Sequence, residues 1–183
     1  MQPNLMAVVK VNYVKPGKKE RAGAKASIRY MQNRRGKDGE KITRTLFGNG
    51  GVMGRNDAYS LIDEAEQGSR FFRIVLNPDV KTEDTKRDLN MQEVIETTIS
   101  AIKEWGEREV SWVAAIHADH TPQRHIHALV ITKERLLPVN LMRDTATNEC
   151  LEQRRERDLM YFQQREQDQS KEEGHIWQRE RSK

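Results

Sequence analysis

Three histidines stand where a single metal ion would need them. In HIHALVI (125–131) successive side chains of a strand point to opposite faces, so His125 and His127 emerge together with Leu129 and Ile131. VSWVAAIH (110–117) is a second apolar strand that ends on His117, and ADHTPQR (118–124) joins the two as an antiparallel hairpin. Cross-strand neighbours lie about 4.5–5.5 Å apart at Cβ, which sets His117 beside His125 and gathers three imidazoles at one point. A lone strand histidine is ordinarily a satisfied polar residue. Three converging neutral imidazoles are instead ligands for Zn, Mn, Ni or Co ions, and three ligands leave coordination positions open for a substrate. The single cysteine, Cys150, excludes an internal disulfide and a cysteine-based zinc knuckle. Asp119 is placed either to accept a hydrogen bond from the far nitrogen of a ligand histidine or to form the turn before Thr121-Pro122. His120 and Arg124, on the same loop, are expected to face solvent or a phosphate, and His175 in the charged tail has no assigned role.

These strands need a frame, and the chain supplies the signals for one. Residues 6–14, around AVVKVNYVK, read as an opening strand, Lys19 to Arg34 as a helix carrying Tyr30, and ITRTLFG (42–48) as a short apolar strand. A glycine-rich NGGVMG precedes a helix expected over Arg55–Glu66, which Gly68 ends. RFFRIVLNP (70–78) is a strand stopped by Pro78. Asn90 with Glu93 resembles a capping box, and Val94, Ile95, Ile99 and Ile102 recur at helical steps towards Gly106. The expected fold is α+β: a central antiparallel sheet of about five strands flanked by helices. It occupies residues 1–145, and a charged helical extension over 146–183 is anchored by Leu151, Leu159, Met160 and Phe162.

Charge points to the partner. The first 56 of 183 residues hold 13 Lys/Arg against 3 Asp/Glu, whereas the rest of the chain is net acidic and the whole carries +4. Clustered cations gain affinity for a nucleic-acid backbone by releasing its condensed counterions. No apolar run reaches the roughly 18–20 residues of a membrane helix, and no secretory leader is evident, so a soluble, cytoplasmic protein without membrane insertion is expected.

HADHTPQRHIH (117–127) resembles the histidine motif of the HUH endonucleases, ASIRYMQNRRG (26–36) the tyrosine motif of their relaxase and mobilisation branch, and FFRIVLNP the middle motif of that branch. The likeness spans roughly residues 20–135. Asn77-Pro78 stands where those proteins usually have Ser-Pro, and the interval from His117 to His125 is longer than in many of them. The resemblance implies an HUH-relaxase-like sheet with a split βαβ, ferredoxin- or RRM-like core. It also implies a divalent ion, Mg²⁺ or Mn²⁺ among others, on His117, His125 and His127, and single-stranded DNA at an origin of transfer as substrate, with accessory relaxosome proteins as possible partners.

Nicking by this route needs a nucleophile, and a phenol with a pKa near 10 needs help to become one. Tyr30, among Arg29, Arg34 and Arg35, matches the relaxase arrangement, and Asp119 is its expected catalytic companion. Tyr161 is the rival, because replication initiators and single-tyrosine transposases carry the nucleophile on a helix downstream of the histidines. Tyr13 reads as strand and Tyr59 as helix packing. Arg29, Arg34, Arg44, Arg55, Arg73 and Arg124 are candidate phosphate contacts. Arg44 and Arg73 lie within apolar stretches and therefore require a partner. A non-catalytic DNA-binding module is the reading from a different class.

Overall fold

The computed structural model describes residues 7–15, 17, 19–106, 109–119, 121 and 123–181, with the backbone alone for 170 and 172–181; His120 lies outside the described residues. In chain order the elements are β1 (Val8–Tyr13), α1 (Glu20–Asn33), β2 (Leu46–Gly48), β3 (Gly51–Met53), α2 (Arg55–Asp63), β4 (Arg70–Asn77), α3 (Met91–Gly106), β5 (Ser111–His117), β6 (His125–Thr132) and α4 (Val139–Arg181). The strands form one antiparallel sheet in the order β1-β4-β6-β5-β2-β3. The α+β class is as expected.

The sheet has six strands where about five were expected, and β3 is the added one. Gly48 pairs with Gly51 across the two-residue turn Asn49-Gly50, and Gly51 has a φ of 92° that a residue with a side chain rarely adopts. Gly48 is required for another reason: a Cβ there would lie 2.4 Å from the carbonyl oxygen of Trp112 on β5. The turn signal was in the sequence, but three-residue strands have no periodicity to announce them.

Alternation along the strands divides the interior into two layers. Phe72, Ile74 and Leu76 of β4, Trp112 and Ala114 of β5, and Ile126, Ala128 and Val130 of β6 pack with α3 and the start of α4. The opposite face places Phe71, Val113, Ala115, Leu129 and Ile131 against Ala24, Ile28 and Met31 of α1 and Ala58 and Ile62 of α2. Helix α3 begins as its sequence suggests, Asn90 Oδ1 accepting from the backbone N–H of Glu93 at 3.3 Å. Helix α2 stops at Asp63, short of Glu66, ahead of the turn at Gly68 (φ 86°).

Helix α4 departs furthest from expectation. It starts at Val139, directly after Pro138, and the expected division at 145/146 falls inside it. Met142, Ala146 and Cys150, at four-residue steps, are fully buried against the first layer, whereas Leu159, Met160 and Phe162 are exposed and anchor nothing. Small Ala and Cys give a faint apolar signal, so the buried stripe was hidden and the conspicuous apolar cluster misled. Among the described residues no helix is long and apolar enough to cross a membrane.

Candidate metal centre

The hairpin register is the one the histidine spacing requires. His117 pairs with His125, and Ala115 with His127, so all three imidazoles leave the β5–β6 ladder on the α1 face. Their ring centroids are 4.5–5.2 Å apart, and one ligand nitrogen from each lies within 4.8 Å of the others. His117 is fully buried and His125 nearly so.

The tautomers follow from the acceptors. His117 Nε2 lies 2.8 Å from the carbonyl oxygen of Met31 in α1, and since a carbonyl only accepts, Nε2 carries the proton. The lone pair of His117 is then on Nδ1, which is sealed from solvent. His125 Nδ1 faces the carbonyl oxygen of Gln123 at 3.3 Å, leaving Nε2 as its ligand atom. Burial foremost, then the neighbouring His127, holds the His117 pKa down at about 3, with Arg44 and His125 adding to the effect against the Met31 carbonyl. The imidazole is therefore neutral at physiological pH, the form that binds metal. Three imidazole nitrogens, two of the rings oriented by backbone carbonyls, suit a borderline divalent cation and leave further coordination positions for oxygen ligands.

Tyr30 sits in the last turns of α1 on the same face. Its ring is edge-on to His127 at 5.5 Å and 6.5 Å from His117, it is 48% exposed, and the Arg34 guanidinium lies over it at 5.5 Å. Tyr161 has different surroundings: Phe162 at 6.2 Å and Lys86 over its ring at 5.8 Å, on a helix whose first half packs against the other face of the sheet. Tyr13 packs on Phe72 in β1, and the Tyr59 hydroxyl accepts from Arg29.

The six arginines separate. Arg44 and Arg124, expected on phosphate, are taken by carboxylates. Arg44 donates to both oxygens of Asp119 at 2.8 and 2.6 Å, and Arg124 to both of Asp84 at 2.8 and 2.6 Å. Arg44 is buried, where an unpaired cation would be prohibitive, so its partner answers the requirement its apolar sequence surroundings imposed. Asp119, expected to orient a ligand histidine, is thus committed to Arg44, and the carbonyl of Met31 meets His117. Arg55 donates to Gln32, and Arg29 to Tyr59. Arg73 is exposed on β4 and lines a cleft of about 690 Å³ with Asn12, Tyr13, Ser27, Tyr30 and His127. Asn77 donates to Gln123 at 3.3 Å, tying the end of β4 to the histidine hairpin.

Sequence reasoning missed the Met31 carbonyl, which no side-chain motif can report. It also missed the cleft, which is lined by α1 together with β1, β4 and β6. Compared with protein-family models and with curated proteins, the chain matches none.

Proposed function

We propose that the protein is a metal-dependent nickase of single-stranded DNA, an HUH-type relaxase domain in which Tyr30 is the nucleophile. The observation that carries this reading is the Tyr30 ring 5.5 Å from His127, on the face that all three histidines share. His117, His125 and His127 would hold the ion, and a bound divalent cation supplies Lewis-acid polarisation of a phosphate oxygen and offsets the charge built up during in-line attack. The Tyr30 oxygen forms the bond to phosphorus as the bond to the 3′-oxygen breaks. The phenolic proton leaves, the 3′-oxygen gains one, and the phosphodiester survives as a 5′-phosphotyrosine that can be rejoined. The Arg34 guanidinium, over the Tyr30 ring at 5.5 Å, is a second cation for the phosphate that the tyrosine attacks. Arg73, exposed in the adjoining cleft and without a carboxylate partner among the described residues, offers a guanidinium to the DNA backbone.

A role at an origin of transfer, alongside relaxosome proteins, extends the same reading and rests on the motif resemblance. The replication-initiator or transposase arrangement with Tyr161 is less well supported, because that ring keeps company with Lys86 and Phe162 and not with the histidines.

The test is covalent capture. The protein and its Tyr30→Phe and Tyr161→Phe variants are incubated with Mn²⁺ and labelled single-stranded DNA pools from the native genetic neighbourhood, then resolved under denaturing conditions. The expected result is an adduct abolished by chelator and by Tyr30→Phe and kept by Tyr161→Phe. Loss in Tyr161→Phe alone would move the protein to the initiator arrangement. Metal and DNA binding without any adduct would leave a non-catalytic binding module.

A further inference from the structure

The end of α1 is fastened to the histidine hairpin by unusually direct means. The last carbonyls of a helix have no partners within it, and in α1 two find them elsewhere. The Met31 oxygen meets His117 Nε2 at 2.8 Å, and the Gln32 oxygen accepts from the Arg44 backbone at 2.9 Å. Just past the helix, the Arg34 oxygen accepts from Arg44 Nη1 at 2.8 Å. The same guanidinium then reaches Asp119, two residues beyond His117, through its two remaining nitrogens. One side chain, 5% exposed, therefore joins the turn that carries Tyr30 to the loop that follows a histidine of the triad.

We infer that the Arg44–Asp119 pair is a latch that sets the position of Tyr30 against the three histidines, with Arg44 and Asp119 acting as positioning residues for strand cleavage. The inference rests on the nickase reading for its catalytic consequence, but the geometry it asserts is independent of that reading. A planar, bidentate pair between two otherwise separate segments fixes both distance and angle, which a lysine at position 44 could not do. Misplacing a reacting group by about 1 Å costs on the order of 10²-fold in rate. The Arg124–Asp84 pair is the natural control. It is equally bidentate and as well buried, yet it ties the hairpin loop to the 79–90 segment and touches nothing on α1.

The experiment uses the full chain with Asp119→Ala, Asp119→Asn, Arg44→Lys and, as control, Asp84→Asn. Nuclear Overhauser contacts between the Tyr30 ring and the His127 imidazole are measured in the metal-free protein, which requires neither metal nor DNA. The single-turnover adduct-forming rate and the DNA dissociation constant are measured beside them. The expected result for the Asp119 and Arg44 variants is a weakened Tyr30–His127 contact, a rate lower by roughly 10²-fold and an unchanged DNA dissociation constant. Asp84→Asn should lower thermal stability while keeping the contact. Asp119→Asn alters no volume, so it stands in if the alanine variant does not fold. An undisturbed Tyr30–His127 contact in folded Asp119→Asn and Arg44→Lys would overturn the latch, whatever the DNA assay reads. Absence of an adduct in the unaltered protein would overturn the nickase reading and leave the positional claim to the spectra.

Discussion

Ile126 and His127 are neighbours on β6 and enter opposite sides of one sheet, and those sides differ in kind. The α3/α4 side is apolar across β4, β6 and β5, with Ile74, Leu76, Trp112, Ala114, Ile126 and Ala128 continuous beneath two helices. The α1/α2 side is apolar over only part of its extent. Past Val113, Ala115 and Leu129 the same strands continue as His117, His125 and His127, and Arg73 is exposed on β4 beside them. The difference teaches that folding and chemistry are assigned to different faces of shared strands. The site begins where the second apolar layer ends, still rigid because its strands are held from behind.

The sharpest way to break this comparison is to truncate the two neighbours separately. Ile126→Ala removes a fully buried side chain and should cost about 2–5 kcal/mol in urea unfolding while metal affinity stays within a few-fold. His127→Ala should do the reverse: a midpoint close to that of the parent in the metal-free protein, and Mn²⁺ or Co²⁺ affinity by calorimetry lower by ~10²-fold or more, since even partners of a ligand are worth 10–100-fold. Equal losses of stability would mean that the faces are not divided as described.

Acid should strain the two faces unequally. The folded-state pKa of His117 lies at about 3, below its ordinary value of 6.5. Between those values the unfolded chain binds a proton that the folded chain refuses. His117 therefore leaves stability untouched above about pH 6.5 and erodes it progressively as the pH falls towards 3, with a slope of at most about 1.4 kcal/mol per pH unit for one proton. His117→Gln should flatten the dependence of unfolding free energy on pH over pH 4.5–6.5, measured in chelator. A parallel slope in parent and variant would show that His117 is not held neutral by the fold. Ile126→Ala should leave that slope intact and displace the curve as a whole.

Much of this division was legible in the residues. The alternation of HIHALVI and the loop length after His117 carried the register of the hairpin and the convergence of the triad, because a strand's two-residue period leaves no freedom about which side chains share a face. Long, strongly periodic segments such as α3 were equally plain. What stayed hidden was tertiary or small. Arg44 sat in an apolar stretch that demanded a partner, but nothing in the sequence named Asp119, 75 positions away. The Met31 carbonyl belongs to the backbone. The stripe Met142, Ala146 and Cys150 was too weakly apolar to outweigh the louder cluster at 159–162, and so α4 was read as an appendage.

The outer part of α4 offers the smallest and most discriminating test. Arg154 donates to the carbonyl of Thr82, Arg157 pairs with Asp88, and Lys86 lies over the Tyr161 ring, so this helix grips the 79–90 segment. That segment in turn holds Arg124 through Asp84 and reaches the carbonyl of Ala118 through Arg87, whose φ of 57° is the one left-handed value outside glycine among the described residues. The helix thus has a path of contacts to the hairpin, and the question is whether the path carries energy. Asp88 and Arg157 are both partly exposed, and pairs of that kind contribute about 0–1 kcal/mol because solvent already serves each charge well. Arg157→Ala should therefore lower stability by less than about 1 kcal/mol and leave Mn²⁺ affinity and the Tyr30–His127 contact unchanged. A several-fold loss of metal affinity in Arg157→Ala, by calorimetry at matched stability, would mean that the two faces communicate through the 79–90 segment. The chemistry would then depend on both sides of the sheet and not on the α1 side alone.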